Sequence, residues 1–509
     1  MAFETSSPDS SRTDSVTSIR KDLYERFEEY DLIEDCLAGG KAVKKRKEKY
    51  LPIPDATNPD TTARDARYEA YITRAVFYNV TQRTALGLIG EIFSRDPEVK
   101  VPASLEDVVT DSSGGGISLE QLARQGCWYA LGYGRGGLFV DYPPSDGPTS
   151  KAEQKAGNVR ATISMYDAKS VINWRVKKRN SKLVLSLTVL KEEYTIEDDG
   201  FQTKTGIQYR ELRLGPGDVY YVQLWRPKDV ENISGGYEPY GAPYYPKDGR
   251  GNPLTDIPFT FFGSRDNEPS IDPPPLYDMA DINIAHYRNS ADFEETVFVV
   301  GQPTLCVTGL TKEWYEGVLN KVIPFGSRAG LPLPKDADAK ILQVEETAMA
   351  KEAMEHKEKQ MVALGAKIVE NRDVQRTATE AKGDKATEQS VLGAVAKNVS
   401  SAIKWALEWC AVFHNTAEAG IEFKLNTDFE LAKLSAEDRE AVVKNWLDGA
   451  LSWTEMRSVM RKAGIASMDD EKAKAEIEKD KTAEIEKAAK QLGMETKAVT
   501  DNSPPPAAA

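Results

Sequence analysis

Apolar residues recur at helical spacing from Glu346 to Val369 (ETAMAKEAMEHKEKQMVALGAKIV) and again from Ser390 to Phe413 (SVLGAVAKNVSSAIKWALEWCAVF). This spacing predicts two helices. Between them runs ENRDVQRTATEAKGDKATEQ, residues 370–389, with charges of both signs and no apolar face. Such a segment has nothing to bury against a core. Two readings fit it: a mobile surface loop, or an element presented to something outside its own domain.

Upstream, residues 1–15 are polar and Ser-rich, which predicts disorder. Asp14 and Ser15 are candidate caps for a helix through Ile19, Leu23, Phe27, Tyr30 and Ile33. Gly39 and Gly40 are its predicted end. The run KAVKKRKEKY, residues 41–50, sets six basic residues against Glu48. It either touches a phosphate backbone or is simply solvated. A long helix is predicted from Thr61 to Phe93, and another from Ser118 to Leu131. Gly132-Tyr133-Gly134-Arg135-Gly136-Gly137 follows, then the strand LFVDY. From Arg160 to Trp225 the period becomes two, through ATISMY, SVINWRVK, KLVLSLTVL, YRELRL and VYYVQLW. That alternation predicts an antiparallel sheet. Residues 226–257, rich in Gly, Pro and Tyr, read as a long excursion.

Pro273-Pro274-Pro275 opens a helix, LYDMADINIAHYRNSADFEETVFVV. QPTLCVTG, containing Pro303, reads as strand-like, and a short helix is predicted near Trp314. GSRAGLPLPKDADAKILQVEE reads as turn, strand and exit. Beyond Phe413, IEFKLNTDFEL reads as a strand. Ser435 to Leu447 and Ser452 to Ala463 read as two short helices joined at Asp448-Gly449. Ser452 and Glu455 have capping-box spacing. Trp446, Leu447, Met456, Val459 and Met460 supply the apolar contacts of this pair. Glu471 to Lys490 reads as a solvated helix and the tail NSPPPAAA as disordered.

The 509 residues suggest two to four structural regions at roughly 100–200 residues each. Formal net charge is −14 and the isoelectric point about 5.1. Coating duplex DNA draws on clustered Lys and Arg, so a globally acidic chain is a poor candidate for it. An acidic surface suits DNA that must move without sticking. Cys36, Cys127, Cys306 and Cys410 lie far apart without CxxC spacing and read as reduced, mostly buried thiols of an intracellular protein. The N-terminus has no apolar core of a secretory signal. No stretch has about 18 consecutive apolar residues. The nearest, Val391 to Phe413, carries Lys397, Lys404 and Glu408, which predicts a packed amphipathic helix and no membrane contact.

Catalytic constellations find little support. His286, His356 and His414 have no ligand-spaced partners, so no metal site is predicted. The run GYGRGG follows a helix and opens a strand, whereas a phosphate-cradling glycine loop follows a strand and opens a helix. A tight turn that needs positive φ is the simpler account. The carboxylates show no pairing suited to acid–base work. No cofactor and no enzymatic activity are expected.

In order, the predicted elements form an α-rich segment, a β-rich domain, a long helix, a small insertion and a returning helix. A charged segment, a second helix, a strand and short terminal helices complete the set. This plan resembles that of tailed-bacteriophage portal proteins. The local resemblance is to a portal-like family once catalogued as a phage domain of unknown function. It is carried by YITRAVFYNVTQRTALGLIGEIFSRDP (Tyr71–Pro97), IPFTFFG (Ile257–Gly263) and PPPLYDMADINIAHYRNSADFEE (Pro273–Glu295). GQPTLCVTG (Gly301–Gly309), MVALGAKIVE (Met361–Glu370) and TATEAKGDKATEQSVLGAVAKNVSSAIKWAL (Thr377–Leu407) complete it. It covers nearly all of the chain between Ser15 and Asp480.

The resemblance implies an α+β portal fold. Its parts would be a wing of residues 16–265 and 390–434 and a stem of two helices, 266–299 and 346–369. A small α/β clip (300–345), a tunnel loop (370–389) and a helical crown (435–490) would follow. Residues 1–15 and 491–509 would be disordered tails. It implies a homo-oligomeric ring, usually of about twelve copies, around a tunnel for double-stranded DNA. The ring would occupy the unique capsid vertex of the virion after assembly in the host cytoplasm. Its partners would be the terminase large subunit, a head–tail adaptor, and the major capsid and scaffolding proteins. In the tunnel loop, Arg372, Arg376, Lys382 and Lys385 stand against Glu370, Asp373, Glu380, Asp384 and Glu388. That near-balance suits weak, transient phosphate contacts. Two rival readings are a minor head or capsid-associated protein and an enzyme of phage DNA metabolism.

Overall fold

The structure is a computed structural model. It describes residues 15–142, 160–229, 236–301, 304–323, 330–342, 348–369, 390–418, 420–427, 429, 436–462, 468, 470–477 and 479. The chain forms two compact units, Met1–Thr427 and Asp428–Ala509.

The first unit opens with helices α1 (Lys21–Tyr24), α2 (Phe27–Ala38), α3 (Gly40–Lys45), α4 (Thr61–Arg74), α5 (Val80–Ile92), α6 (Glu106–Thr110) and α7 (Leu119–Tyr133). Strand β1 (Glu98–Lys100) lies between α5 and α6. Then come β2 (Arg135–Asp141), β3 (Thr162–Asp167), β4 (Val171–Arg179), β5 (Lys182–Asp198), β6 (Thr203–Leu214), β7 (Tyr220–Pro227), β8 (Tyr237–Tyr244) and β9 (Phe259–Gly263). Next are α8 (Tyr277–Gly301), β10 (Thr304–Thr308), α9 (Lys312–Gly317), β11 (Asp338–Leu342) and α10 (Met349–Val369). α11 (Val391–Phe413) and β12 (Glu422–Lys424) end the unit.

The expected antiparallel sheet divides in two. β4 to β8 run in chain order as a five-stranded meander. ATISMY leaves that meander: as β3 it flanks β2, with β9 on the other side. The residues read as an excursion supply β8, an edge strand whose Pro239 and Pro243 lack the N–H that further pairing needs. β1 pairs with β12 and β10 with β11, all antiparallel. Among the described residues of IEFKLNTDFEL, three form β12.

α11 is the centre of the unit. Leu392, Val395, Ala396, Val399, Ile403, Leu407 and Cys410 are buried on one face, against α7, β2 and β9. Lys397 and Lys404 lie on the exposed side, and Lys404 pairs with Glu408 one turn on, at 3.7 Å. No helix among the described residues is long and apolar enough to cross a membrane.

Two predicted helices are interrupted. The first breaks at Glu25–Arg26, between α1 and α2, and ends as expected at Gly39, whose φ of 93° caps α2 before α3 starts anew. The long helix expected from Thr61 to Phe93 breaks at Ala75–Asn79. Polar side chains of α8 satisfy the freed backbone groups there. Val76 donates its N–H to Ser290 Oγ (3.1 Å), which in turn donates to the Val76 carbonyl (2.7 Å). Asn283 Nδ2 donates to the Tyr78 carbonyl (2.8 Å), and its Oδ1 accepts from Thr81 N–H (3.2 Å). Asn79 then caps α5 by accepting from Gln82 N–H. Helical periodicity runs through this break because both halves face the same core. The hydrogen bonds to α8 leave no such trace.

The basic run 41–50 is mostly solvated, with Lys41, Lys45, Lys47 and Lys49 exposed, yet four of its side chains find partners within the chain. Arg46 meets Asp35 (2.7 Å), Lys47 meets Glu69 (2.6 Å) and Lys49 meets Asp31 (3.7 Å). Lys44 donates to the Thr73 carbonyl (3.0 Å). These contacts tie α2, α3 and α4 together.

The glycine run is the tight turn its order predicts. α7 starts with a capping box, Ser118 and Gln121, and ends at Gly134, which has φ 74°. Arg135 follows, 1 % exposed, with its guanidinium carbon 4.2 Å from both the Trp174 and Phe261 rings. Arg20 lies 4.2 Å from the Trp174 ring as well, so the N-terminal segment joins the same group. Burial lowers the Arg135 pKa to about 10, and the group stays charged at neutral pH. A desolvated cation–ring contact of this kind contributes about 2 kcal/mol.

In the second unit α12 (Ala436–Leu447) and α13 (Trp453–Lys462) pack together. The capping box of α13 forms: Ser452 N–H donates to Glu455 Oε2 (2.8 Å) and Glu455 N–H to Ser452 Oγ (3.2 Å). Met456 and Met460 are buried, but Leu447, expected as a contact, is exposed. Of the expected Glu/Lys helix, residues 470–477 are helical and most of the rest lies outside the described residues.

Gly134→Ala tests the turn. A Cβ there would stand 2.6 Å from the Asp272 carbonyl oxygen, on a left-handed backbone. The expected loss is about 2–4 kcal/mol of stability, read by urea unfolding.

Candidate functional site

The four basic residues expected to contact DNA, Arg372, Arg376, Lys382 and Lys385, lie outside the described residues. The structure instead defines what brackets them. α10 ends at Val369 with Ile368 buried. α11 begins beside Ser390, which is buried and accepts from Gly393 N–H at 3.1 Å. Both flanks of the charged segment are therefore fixed to one unit.

α10 packs along α8. Two contacts give the direction. His286 Nε2 is 3.3 Å from Glu358 Oε1, and a side chain at Gly365 would meet Met279 Cε at 3.5 Å. Moving seven residues back on α8 moves seven forward on α10, so the helices are antiparallel. A side chain at Gly365 would also touch Thr84 of α5, at 3.3 Å. The other end of α8 is held to α4: Tyr71 donates to Asp292 (2.6 Å), Arg74 pairs with Glu295, and the Arg74 guanidinium covers Phe298 at 4.2 Å. Burial, then the Asp292 carboxylate, pushes the Tyr71 hydroxyl well above its usual pKa, so Tyr71 remains a donor. These contacts seat α8 against α4, α5 and α10.

At the far end of the pair sits the small module of β10, α9 and β11. Thr311 caps α9 by accepting from Trp314 N–H (3.3 Å), and Trp314 Nε1 donates to the Pro332 carbonyl (3.1 Å). Leu319 is buried, but Tyr315, Val318, Val322 and Ile323 are exposed. Val297, Phe298 and Val299 at the end of α8 are partly exposed too, and on α10 Met349 is 75 % and Val362 70 % exposed. Exposed apolar residues of this kind are the material from which interaction surfaces are built. The sequence signal was present: these residues stand off the buried stripe of their helices, as Val362 does beside fully buried Met361.

The groups considered for catalysis are separate. His286 is buried between α8 and α10, with its ring 6.0 Å from Tyr78. His414 Nε2 accepts from Ala161 N–H at 3.2 Å, and burial lowers its pKa. Cys36, Cys127 and Cys410 are buried and Cys306 is partly exposed. Burial pushes the Cys410 thiol up to about 12. Among the described residues no three His, Cys, Asp or Glu side chains stand close enough to hold a metal ion. The described surface carries an open groove of about 920 Å³, lined by residues that include Val99, Pro102, Val109 and Ala417.

A family profile described as "Domain of unknown function (DUF4055)" matches residues 275–414, from the start of α8 to the end of α11. No curated protein matches. Among solved structures, the chain is similar to one in the virion of a native gene transfer agent particle. There the identity is 15 %, with 79 % of this chain and 94 % of that chain covered, at a TM-score of 0.38. A chain from the neck of the empty particle, computed with C6 symmetry, is 14 % identical, with 77 % and 91 % covered and a TM-score of 0.38. One from the neck of the native particle, computed with C12 symmetry, is 14 % identical, with 76 % and 92 % covered and a TM-score of 0.37. TM-scores this low establish no shared fold.

Adjacent residues of α10 give a test of which face is internal. Met361→Ala should cost about 2–5 kcal/mol in urea unfolding, as loss of a buried side chain does. Val362→Ala should stay within about 0.5 kcal/mol of the natural chain.

Proposed function

We propose that this chain is the subunit of a portal ring at the head–tail junction of a phage or phage-like particle. In this reading the ring conducts double-stranded DNA during packaging and ejection and docks the terminase and the head–tail adaptor. The observation that carries the proposal is the antiparallel pair α8–α10. It holds a small β module at one end, and a charged segment with anchored flanks at the other. That arrangement supports reading these parts as the stem, clip and tunnel loop that the sequence resemblance implies, in the same chain order. The family profile spans the same elements.

Surface chemistry supports the reading. A ring subunit carries two different complementary surfaces. Exposed apolar residues on α8, α10 and the small module supply material for them. The net charge of −14 suits a conduit that repels its cargo. In the 370–389 segment, Arg372, Arg376, Lys382 and Lys385 would make brief phosphate contacts, offset by five carboxylates. The role is structural, with ATP hydrolysis left to the motor that docks on the ring.

A minor head protein would share the virion but not the ring. Size separates the two. The purified chain should assemble to roughly twelve times 56.3 kDa by native mass measurement, with a central hole in negative-stain images. A monomer at all concentrations would remove the portal reading. Deleting Arg372 to Gly383 should leave the ring intact and reduce DNA packaging or retention in an assembly assay. Packaging at the natural level would remove the tunnel-loop role while leaving the ring.

A further inference from the structure

Strand β5 is 17 residues long and ends in two unlike hairpin tips. At about 3.3 Å per residue the tips stand up to about 50 Å apart. At the β4–β5 end, Arg175, Lys178 and Lys182 are exposed. Their neighbours Lys177 and Arg179 are paired with Asp218 and Asp256, but among the described residues these three have no ion pair. Leu183, opposite Lys178 in the ladder, is 74 % exposed.

The β5–β6 end is the reverse. Glu193, Glu197, Asp198 and Asp199 are exposed, against the single exposed cation Lys204 opposite Glu197, and Phe201 at the tip is fully exposed. The tip is built, not loose. Asp199 Oδ1 accepts from Gln202 N–H (2.5 Å) and Phe201 N–H (2.8 Å). These amides, Gln202 first, hold the Asp199 carboxyl below its usual pKa, so it is charged at neutral pH. A large aromatic side chain fixed in water on a braced turn is an anchor without a pocket.

The two tips complement each other in charge, and each adds an apolar side chain. A two-fold contact through either tip alone would set like charges together. A head-to-tail contact sets acid against base, and such contacts build rings when their rotation closes. We propose that the acidic Phe201 tip of one copy docks on the basic Leu183 tip of the next copy of this chain. The inference rests on the ring reading above and names one of the surfaces that would make the ring.

The test uses the full chain in sedimentation velocity at about 0.05 M and about 0.5 M salt. Glu193→Lys with Glu197→Lys should weaken ring formation at least about tenfold at low salt, and so should Lys178→Glu with Lys182→Glu. The four substitutions together should restore it, because the charges are then exchanged between the tips. Phe201→Ser should weaken assembly at both salt concentrations. All four residues and Phe201 are exposed, so thermal midpoints should match that of the natural chain. Rings that either reversal leaves unaffected overturn the pairing, as do weakened rings that the fourfold variant fails to restore. In both cases the ring reading stands. A natural chain that remains monomeric overturns the ring reading and the pairing with it.

Discussion

Burial of α11 constrains the rest of the first unit. Its inner face, Leu392 to Cys410, recurs at helical spacing and meets α7 and the β3–β2–β9 sheet. A fully buried Leu or Ile contributes roughly 1.5–3 kcal/mol, so a helix with a face this long cannot be shifted without unpacking its neighbours. Ser390 caps that helix and is itself buried. The far flank of the 370–389 segment is thereby set. The near flank is set by α10, which packs along α8 and buries Met361 and Ile368. The polar segment 370–389 is thus flanked at both ends by helices seated in one unit.

α8 carries the second part of that constraint, and it does so with polar groups. Asn283 and Ser290 lie seven residues apart, two helical turns, and both are buried. They receive the carbonyls and N–H groups released where α4 and α5 part. A buried polar group left unsatisfied costs about 1–3 kcal/mol. Moving α8 relative to α4 and α5 would leave several unsatisfied at once. The stem of the proposed portal is therefore joined to its wing by directional bonds, which resist sliding better than apolar contact alone.

The parts of this fold legible in the sequence are those with strong periodicity or a specific local signature. α7, α10 and α11 followed from apolar spacing, and α8 from the proline run that opens it. The turn at Gly134 followed from the order helix, glycine, strand, and the α13 cap from the spacing of Ser452 and Glu455. What the sequence hid was set by partners remote in the chain. The break at Ala75–Asn79 depends on α8, some 200 residues later. The separation of β3 from the β4–β8 meander depends on β2, which lies before it. The pairing of Arg46, Lys47 and Lys49 depends on carboxylates of α2 and α4. Of the candidate site, the charged segment and its two flanking helices were legible. The exposed apolar side chains of α8 and α10 stand off the buried stripes of their helices, a signal the periodicity alone did not single out.

The small module between α8 and α10 shows why folding and assembly would be linked in such a chain. A two-stranded ladder is marginally stable by itself in water. β10 and β11 share five paired positions, and Leu319 is buried beside them while Tyr315, Val318, Val322 and Ile323 are not. One apolar contact of that size is small against an ordering cost of roughly 1–2 kcal/mol per residue. The rigid helices beneath hold the module's ends together and remove part of the loop-closure cost. Covering its exposed apolar residues would remove more of their area from water. A neighbour that covers them stabilises the module by binding only its ordered form. In the proposed ring, association and local order would then rise together.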